Sequence, residues 1–471
     1  MKTARPVKEK SIFFQSLGCV KNLVDTEVML GIAVTDKFNI VTDPSLASVI
    51  VVNTCSFIEA SKRESINAII DLARYKEKSE GNCERLIVAG CLPQRYKADL
   101  KVALPEVDAF IGTGQYGDLL SYIEGKQEDD TDFKHPKYIH SENTPRINTQ
   151  PNYRAYLKIS EGCIKNCSFC IIPKIRGTLR SRTIDSLVEE AQRFVAAGAK
   201  EINLIAQDLT DYGRELKDGT DLAGLLRALV KIDGLEWIRL LYVYPDELSD
   251  EMIELIATED KICKYLDMPV QHINDQVLAR MNRKVTGKQI IERIEKIRER
   301  IPNLSLRSTI LVGYPGETEA QFEELMAFIQ KYPFDHLGVF AYSLEENTAS
   351  YLLDGQLDEK TKLGRQKKAL SIQKKISRKQ LKKHLKQTLS VLVEEISEES
   401  EFLWRGRHQG QAPDVDGLVL IRNGNVERGQ IFRVKIEKSM DYDLIGQVDG
   451  YENSSRIASW TDSASHSGAT A

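Results

Sequence analysis

Short apolar runs alternate with amphipathic stretches over the first 120 residues of the chain. The runs typical of β-strands are SIFFQSL (11–17), VIVVNT (49–54), RLIVAG (85–90) and VDAFIG (107–112). Helical periodicity occupies residues 22–33 and 57–77, and a weaker helical pattern lies near 93–101. This alternation of strand and helix predicts a doubly wound α/β domain with a parallel sheet, which we assign to residues 10–123.

A second series of apolar runs begins near residue 153. Its strand candidates are AYLKIS (155–160), EINLIAQ (201–207), WIRLLYV (237–243), YLDMPV (265–270), LRSTILVG (306–313) and LGVFAY (337–342). Amphipathic stretches such as 185–197 and 317–331 separate these runs. Six consecutive βα units favour a partial (β/α)6 barrel over a flat sheet, and we assign residues 151–386 to this barrel and a basic helix that follows it.

The pattern changes on both sides of the predicted barrel. Residues 124–150 are polar, rich in Pro and Asn and without periodicity, which predicts a linker. Residues 365–386 contain ten Lys/Arg and no acids, and predict the basic helix. This helix either packs through its apolar residues, which are Leu370, Ile376, Leu381 and Leu385, or contacts RNA.

The last part of the chain has short strand patterns separated by turn-rich pieces. The strand patterns lie at 389–395, 417–421, 431–436 and 443–448. They predict a small C-terminal antiparallel β barrel over residues 387–452. Residues 453–471 are rich in Ser and Ala, and we expect them to be a disordered tail.

Composition and charge exclude several classes of protein. The chain has 471 residues, more than one ordinary domain, and is 42% hydrophobic, enough for sizeable cores. Lys and Arg number 65 and Asp and Glu 69, so the net charge of −4 gives no global excess of positive charge for coating nucleic acid. We see no run of eighteen apolar residues and no secretory signal, and therefore expect a cytoplasmic protein with no membrane partner.

Eight cysteines need an explanation other than disulfides, because the cytoplasm is reducing. Six of them form two groups of three, and the two that remain, Cys83 and Cys263, have no partner pattern and are expected to be structural. Cys163, Cys167 and Cys170 lie in GCIKNCSFC, in a loop after the first predicted barrel strand. Three thiolates this close in sequence can converge on one metal centre and leave a site open for an exchangeable group.

A zinc loop and plain reduced thiols are the alternatives for this first group. A structural zinc site needs a fourth ligand, and the nearest other Cys or His in sequence is His140, in the predicted linker.

The second group consists of Cys19, Cys55 and Cys91, each 36 residues from the next and each after an apolar strand pattern. This spacing would place all three at the carboxyl ends of parallel strands, where α/β folds bind ligands. Small residues stand beside them, which would let the backbone approach a bulky cofactor: Gly18, Thr54 and Gly90. The group holds either a second iron–sulfur cluster with an open site or three buried cysteines that act as small hydrophobic side chains.

The C-x3-C-x-aromatic-C run after the first barrel strand resembles the radical S-adenosylmethionine (SAM) enzymes. This resemblance implies that the barrel cysteines hold a 4Fe-4S cluster, that SAM binds its open iron, and that Phe169 lies near the adenine. Together with a three-cysteine α/β domain and a terminal β barrel, known as the TRAM domain, the chain resembles the methylthiotransferases over residues 11–450. This second resemblance implies two 4Fe-4S clusters, with the one on Cys19, Cys55 and Cys91 carrying the sulfur, and two SAM molecules, one as methyl donor and one as radical source.

Longer strings resemble the branch of this family that modifies an aspartate of the small-subunit ribosomal protein twelfth in the series. They are SLGCVKNLVDTEVMLG (16–31), YLKISEGCIKNCSFCIIPKIRGTLRSR (156–182), EINLIAQDLTDYG (201–213), IRLLYVYP (238–245), KYLDMPVQHIN (264–274) and GYPGETE (313–319). Members that act on transfer RNA tend to carry a GCQMN-like string, whereas this chain has GCVKN at 18–22. The resemblance implies insertion of a methylthio group at the β-carbon of that aspartate, in the free protein or within the ribosomal subunit, with a ferredoxin- or flavodoxin-like protein as reductant.

The charge of the predicted terminal barrel agrees with a protein substrate. Residues 387–452 contain seven Lys/Arg and thirteen Asp/Glu, a net charge of −6. A module that binds phosphates should be positive, whereas an acidic barrel suits a basic ribosomal protein, so we do not expect transfer RNA as a partner. The alternatives are a methylthiotransferase of transfer-RNA adenosine and a non-enzymatic RNA- or ribosome-binding assembly factor with structural metal sites.

The resemblance to radical SAM barrels also implies SAM contacts from the ends of the barrel strands. Gly313 is expected to allow close approach of the cofactor, and Gln207 and Gln271 are expected to offer amides. Three arginines follow the cysteine loop and either bind a carboxylate of SAM or substrate or lie at a helix N-terminus or at the surface: Arg176, Arg180 and Arg182. His272 follows a strand, and we favour a structural histidine over one in the site.

Overall fold

The computed structural model describes residues 10–126, 133, 136–245, 247–398, 400–422 and 424–449. The predicted tail at 453–471 and part of the predicted linker lie outside these residues. The chain divides between Ser377 and Arg378 into two compact units. No helix among the described residues has the length and apolar character needed to cross a membrane.

The first unit begins with an α/β layer. Its elements are β1 (Ser11–Ser16), α1 (Val20–Thr35), β2 (Asn39–Ile40), β3 (Val49–Thr54), α2 (Glu59–Ala73), β4 (Arg85–Gly90), α3 (Cys91–Ala103), β5 (Ala109–Ile111) and α4 (Leu119–Ile123). Within the described residues the strands form one parallel sheet in the order β2-β1-β3-β4-β5. The predicted doubly wound domain is confirmed, and the short strand β2 is an addition to it.

Alternating residues of the central strands supply two apolar cores, one on each face of this sheet. Val49 and Val51 pack on one face, while Ile50 and Val52 pack on the other. Because helices cover both faces, the strand VIVVNT is buried throughout and its sequence is almost continuously apolar.

The barrel follows, and it accounts for most of the first unit. Its elements are β6 (Arg154–Lys158), β7 (Ser160–Glu161), α5 (Ile172–Arg176), β8 (Arg180–Ser181), α6 (Ile184–Ala196), β9 (Glu201–Ile205), α7 (Leu222–Leu229), β10 (Trp237–Leu240), α8 (Asp250–Thr258), β11 (Ile262–Asp267), α9 (Asp275–Arg280), α10 (Gly287–Arg300), β12 (Ser305–Val312), α11 (Glu319–Lys331), β13 (His336–Ala341) and α12 (Glu359–Leu381). In the described chain the main sheet is parallel, in the order β6-β9-β10-β11-β12-β13, with β6 and β13 at its edges. The predicted partial (β/α)6 barrel is confirmed.

The two faces of the barrel strands differ in polarity. On β9, Ile202 and Leu204 belong to the apolar core. Their neighbours Glu201 and Asn203 alternate with them and are also fully buried. Glu201 accepts a hydrogen bond of 2.9 Å from Arg239 of the adjacent strand β10. The barrel strands therefore pack against the helices through apolar side chains and carry polar groups on the opposite face.

The described part of the predicted linker, residues 136–150, contains neither helix nor strand. It nevertheless packs closely on α1, because a Cβ added at Gly31 would lie 2.4 Å from the carbonyl of Pro145. The guanidinium of Arg146 is buried and forms ion pairs with Glu27 of α1 at 2.6 Å and with Glu190 of α6 at 2.7 Å. This segment is a strap that joins the α/β layer to the barrel.

Helix α12 starts at Glu359, six residues before the predicted basic helix, and only part of its predicted apolar face is buried. Leu381 is buried, and Leu385 is partly buried in the same apolar cluster. Leu370 is 44% exposed. The other side chains buried along the helix are mainly polar, and they are Lys362, Arg365, Ala369, Gln373, Ser377 and Gln380. Several of these side chains hydrogen-bond to the barrel, for example Gln373 to the carbonyl of Phe334 at 3.0 Å.

The second unit contains a small β barrel with a core of its own. Its strands are β14 (Thr388–Ser397), β15 (Ser400–His408), β16 (Val419–Ile421), β17 (Ile431–Ser439) and β18 (Leu444–Val448). They close in the order β14-β15-β16-β18-β17. The terminal barrel is confirmed, strand β15 was not predicted, and the pair β16 with β18 is parallel rather than antiparallel.

Candidate metal centres

The cysteines of the α/β layer lie where three neighbouring parallel strands end. Cys19 follows β1 and precedes the first turn of α1, Cys55 follows β3, and Cys91 is the first residue of α3 after β4. The strand order 2-1-3-4-5 reverses direction between β1 and β3, and open α/β sheets bind their ligands in the crevice at such a point. Cys19 is exposed, whereas Cys55 and Cys91 are buried.

Glycines let these strand ends approach one another. Gly18 has φ +88°, and a Cβ there would lie 2.6 Å from the Cβ of Cys55. Gly90 has φ +101°, and its Cβ would lie 2.6 Å from the carbonyl oxygen of Thr54. The two glycines therefore let the cysteine-bearing segments pack closely against each other. This packing explains the small residues in addition to the predicted approach of the backbone to a cofactor.

Asn22, which we did not predict, connects the three strand ends. Its amide nitrogen donates to the carbonyls of Leu17 at 3.0 Å and Thr54 at 2.8 Å, each close to one of the cysteines. The amide oxygen must therefore face the other way, where it lies 3.6 Å from the sulfur of Cys91. The only sequence signal for Asn22 is its place in the first turn of α1, three residues after Cys19.

The barrel cysteines lie in the loop between β7 and α5. Backbone hydrogen bonds shape this loop, from Cys163 N to Gly177 O at 3.1 Å and from Cys170 N to Cys167 O at 3.0 Å. The backbone N–H of Lys165 donates to the sulfur of Cys163 at 3.3 Å. A loop that already donates to a sulfur is suited to a thiolate, which accepts hydrogen bonds and cannot donate them.

Burial makes the thiols of both groups costly to ionise. Burial and, to a smaller extent, neighbouring cysteines of the same group together raise the pKa of Cys91, Cys163 and Cys170 to about 12 each. Thiolates crowded in such buried places need cations beside them, which metal ions supply.

The sulfurs of neither cysteine group lie as close together as the ligands of one bound zinc ion. Ligands about 2.3 Å from one tetrahedral zinc ion lie about 3.8 Å from each other. Among the described residues, neither cysteine group has its three sulfurs within 4.8 Å of one another. Three sulfurs spread more widely suit a cluster of several irons, in which each thiolate binds a different metal atom.

A different trio in the described chain does meet that distance, and it consists of Asp208, Asp211 and Glu247. The ammonium of Lys165, from the cysteine loop, lies 2.5 Å from Glu247, 3.2 Å from Asp211 and 3.8 Å from Asp208. These carboxylates therefore hold the cysteine loop against the ends of β9 and β10 through its lysine.

The structure places one cysteine of the α/β layer against the segment that follows the barrel cysteines. Cys91 of the α/β layer packs against Ile171 and Ile175, and Ile171 directly follows the barrel ligand candidate Cys170. Arg176, the residue after Ile175, donates a hydrogen bond to the sulfur of Cys91 at 3.5 Å.

A buried network of charges surrounds this contact. Arg176 pairs with Asp25 of α1 at 2.6 Å and with Glu161 of β7 at 3.3 Å. Lys158 pairs with the same two carboxylates at 2.5 Å and 2.9 Å. Burial opposes the charge on Arg176, but Cys91, Asp25 and Glu161 outweigh it and hold its pKa well above the usual value. The α/β layer and the barrel are thus joined by two cations and two carboxylates with no net charge.

Of the arginines after the cysteine loop, Arg182 lies at the N-terminus of α6, which is one of the expected alternatives, and hydrogen-bonds Ser186 in its first turn. Arg176 and Arg182 are buried, and Arg182 forms an ion pair with Glu190, so neither is a surface side chain. Both are engaged by carboxylates of the chain itself, because desolvated guanidinium groups need such partners. Arg180 is partly exposed and donates to the carbonyl of Thr178 at 2.6 Å.

Two of the predicted SAM-contacting residues lie beside the barrel cysteines. Phe169 is half-buried and packs against a cluster that includes Tyr314 and Tyr342. Gln207 donates to Glu161 at 2.6 Å, and its amide oxygen is buried without a hydrogen-bond partner among the described residues. An orphaned buried acceptor beside the cysteine loop is what a cofactor's donor group would satisfy.

The other two lie at the ends of β11 and β12. Gln271 has φ +66° and forms a bridge to β12 through its backbone. Gly313 has φ +75°, and a Cβ there would lie 2.4 Å from Cγ of Lys362. Lys362 of α12 therefore occupies the space beside Gly313 into which we expect the cofactor to approach.

His272 is buried, and one of its ring nitrogens is engaged by the backbone. Its Nδ1 accepts a hydrogen bond from the backbone of Asn274 at 3.0 Å, and burial lowers its pKa to about 3. Cys83 and Cys263 are buried as well, and the thiol of Cys83 donates to the carbonyl of Arg85 at 3.3 Å. These contacts agree with structural roles for all three residues.

Comparison with known proteins places each segment in a family. Residues 11–112 match the uncharacterized protein family UPF0004, residues 157–329 match the Radical SAM superfamily, and residues 387–448 match the TRAM domain.

Relatives named ribosomal protein uS12 methylthiotransferase RimO align with almost the whole chain. The protein from Geobacter sulfurreducens is 49% identical over 94% of this chain and 99% of its own length. The protein from Geotalea uraniireducens is 48% identical over the same shares of the two chains. The protein from Myxococcus xanthus is 47% identical over 95% of this chain and 93% of its own length.

Solved structures support the fold. The radical SAM methyltransferase TsrM from Kitasatospora setae, with cobalamin and a [4Fe-4S] cluster bound, has a TM-score of 0.53 at 14% identity, covering 71% of this chain and 75% of its own. The cobalamin-dependent SAM radical enzyme OxsB, with aqua-cobalamin and SAM bound, has a TM-score of 0.51 at 14% identity, covering 75% of this chain and 56% of its own.

Proposed function

Because the chain belongs to the RimO family of ribosomal protein uS12 methylthiotransferases, we propose that it inserts a methylthio group at the β-carbon of an aspartate in uS12. It is a radical SAM transferase and uses an iron–sulfur cluster and SAM. We further propose a second 4Fe-4S cluster, so that one cluster lies on Cys163, Cys167 and Cys170 and the other on the three cysteines of the α/β layer.

The observation that carries this proposal is the packing of Cys91 against the segment that directly follows Cys170. Cys91 belongs to one group of three thiols, and the segment that it packs against follows the last cysteine of the other group. Sulfur transfer between a donor and a radical requires that both be held in one site.

The reaction explains why the chain must hold cofactors. No side chain can remove a proton from an unactivated C–H bond near neutral pH. When bound, the barrel cluster and SAM supply the radical that abstracts this hydrogen, and the other cluster supplies the sulfur. The chain's own part is to hold the clusters, orient SAM and exclude water. We assign SAM contacts to Phe169, Gln207 and Gln271, and retain Gly313 as a turn residue at the end of β12.

The terminal barrel supports a protein substrate over transfer RNA. Beyond its net charge of −6, several of its cations are already paired with acids of the same barrel. Arg407 is fully buried against Glu394, and Arg405 pairs with Glu395 at 3.3 Å. These pairs reduce the positive charge that the barrel can offer to phosphates, while its exposed acids suit a basic ribosomal protein. We propose uS12, free or in the ribosomal subunit, as partner, a ferredoxin- or flavodoxin-like protein as reductant, and the cytoplasm as location.

Cysteine variants test the assignment of the two clusters. Anaerobically reconstituted protein should contain about eight irons per chain, since each cluster has four. The triple alanine variant of Cys163, Cys167 and Cys170 should keep about four irons and lose SAM cleavage. The corresponding variant of the α/β layer should also keep about four, continue to form 5′-deoxyadenosine, and fail to insert sulfur. Alanine at Cys263, a fully buried cysteine outside both groups, is the matched control and should leave iron and activity unchanged.

Substrate choice is tested by incubating the reconstituted enzyme with uS12 and, separately, with transfer RNA. Mass spectrometry should detect a gain of SCH2 on an aspartate of uS12. A gain on transfer-RNA adenosine instead would overturn the proposed substrate, and zinc in place of iron would favour an assembly factor without catalysis.

A further inference from the structure

We propose that Arg176 positions and tunes the metal centre of the α/β layer: its guanidinium donates a hydrogen bond to the sulfur of Cys91 and raises the reduction potential of the cluster there. The proposal rests on the proposed function, because it requires a cluster on Cys19, Cys55 and Cys91. It gives the cysteine loop of the barrel a direct influence on the cluster in the other layer.

Both terminal nitrogens of Arg176 contact the α/β layer, and one of them also contacts the barrel. Its side chain is 2% exposed. Nη1 donates to Asp25 at 2.6 Å and to Glu161 at 3.3 Å. Nη2 donates to the amide oxygen of Asn22 and to the sulfur of Cys91, the latter at 3.5 Å. The carboxylates thus orient the planar guanidinium so that its second nitrogen faces the sulfur.

Asn22 makes this orientation specific. Its amide nitrogen is engaged by the carbonyls of Leu17 and Thr54, so its oxygen can only accept. A protonated Cys91 could donate to that oxygen at 3.6 Å, but a thiolate bound to iron cannot. Once the cysteine is a ligand, Arg176 is the donor that faces its sulfur.

The local charge balance indicates what this hydrogen bond does. Arg176 and Lys158 carry two positive charges, and Asp25 and Glu161 carry two negative ones, so the network itself is neutral. Reduction adds negative charge to a cluster, and a charged donor on a ligand sulfur stabilises that charge. Hydrogen bonds to sulfur and local charge are known determinants of cluster potential. Arg176 therefore favours the reduced cluster.

The test isolates one cluster and measures its potential. The background is the full chain with alanine at Cys163, Cys167 and Cys170, so that an EPR-monitored redox titration reports only the cluster of the α/β layer. In this background Arg176→Lys keeps a positive charge for the carboxylates but loses the second donor group. We expect the equilibrium constant for reduction to fall about tenfold, a shift of about 59 mV to lower potential for a one-electron couple.

Arg182→Lys is the matched control, because Arg182 is equally buried and its hydrogen bonds go to His140, Ser186 and Glu190. It should leave the potential unchanged. A second measurement does not depend on how well the variants fold: in the background protein labelled with 15N-arginine, pulsed EPR should detect a 15N coupling to the reduced cluster.

The outcomes separate this proposal from the one on which it rests. About four irons per chain, a lowered potential in Arg176→Lys alone and a 15N coupling support it. If both lysine variants retain iron and have equal reduction potentials, or if no 15N coupling is detected, this inference is wrong. The proposal of a second cluster is not affected by either result. A background protein without iron removes the second cluster, and the inference fails with it.

Discussion

Replacing Gly18 with alanine should remove the metal centre of the α/β layer and leave that of the barrel intact. At φ +88° an L-residue costs about 1–2 kcal/mol. The new Cβ would also lie 2.6 Å from Cβ and 3.1 Å from the sulfur of Cys55. Ordinary carbon contacts are about 3.5–4.0 Å, so Cys55 must move by about 1 Å. Metal–ligand distances tolerate about 0.2 Å, and the displacement is therefore several times too large for ligation.

Gly219 offers a control for the backbone cost. Its φ of +86° is almost the same, and no atom lies within 4 Å of its Cβ position. Both alanine variants should lose about 1–2 kcal/mol of unfolding free energy, while only Gly18→Ala displaces a cysteine.

Iron content and product analysis measure the difference. Gly219→Ala should bind about eight irons per chain, and Gly18→Ala about four. Gly18→Ala should still cleave SAM to 5′-deoxyadenosine and form no methylthio product. A Gly18→Ala protein with about eight irons and the same methylthiolation rate as Gly219→Ala would refute the argument that the approach of strand ends positions Cys55.

Three further predictions follow from buried groups. Burial lowers the pKa of His140 from 6.5 to about 4, so its contribution to stability is present above pH 6.5 and is lost toward pH 4, by roughly 3 kcal/mol. The free energy of unfolding in urea should therefore depend less on pH in His140→Gln than in the unchanged protein over this range. An equal pH dependence in the two proteins would contradict this prediction. Arg95→Met should cost about 3–5 kcal/mol because it leaves Glu345, 3.0 Å away, buried and unpaired, and Arg95→Met/Glu345→Leu should recover part of this in a thermodynamic cycle. Asn22→Ala should lose about 2 kcal/mol and reduce iron to about four per chain; Asn22→Asp, which restores the acceptor and not the donors, should not rescue the iron, and rescue would show that the donors are dispensable.

Much of the fold could be predicted because hydrophobic periodicity reports which strands are covered by helices. The runs at 49–54 and 201–205 are buried and lie close to their predicted bounds. Strand β15 was missed because it contains Gly406 and Arg407, which are typical of turns and surfaces. In the barrel Gly406 is needed, since its Cβ would lie 2.6 Å from the carbonyl of Leu392, and Arg407 is buried against Glu394.

The site divides in the same way. Cysteine spacing along parallel strands predicts which thiols share a sheet edge, and the structure places them there. Asn22 and Arg176 act through a contact between segments 154 residues apart. Hydrophobic periodicity does not report a contact between segments so far apart in sequence. The resemblance to a family implies a carboxylate of SAM or substrate as the partner of Arg176, whereas in the structure its partners are the carboxylates of Asp25 and Glu161.

The carboxylates of α1 have a consequence for how this chain can be divided or recombined. Asp25 is neutralised by Lys158 and Arg176, and Glu27 by Arg146, all of which lie beyond residue 123. A fragment that stops at residue 123 would keep both acids and lose every one of these cations. The α/β layer therefore cannot be exchanged on its own. A chimera that takes this layer from a homologue must also contain the basic side chains that pair with its carboxylates.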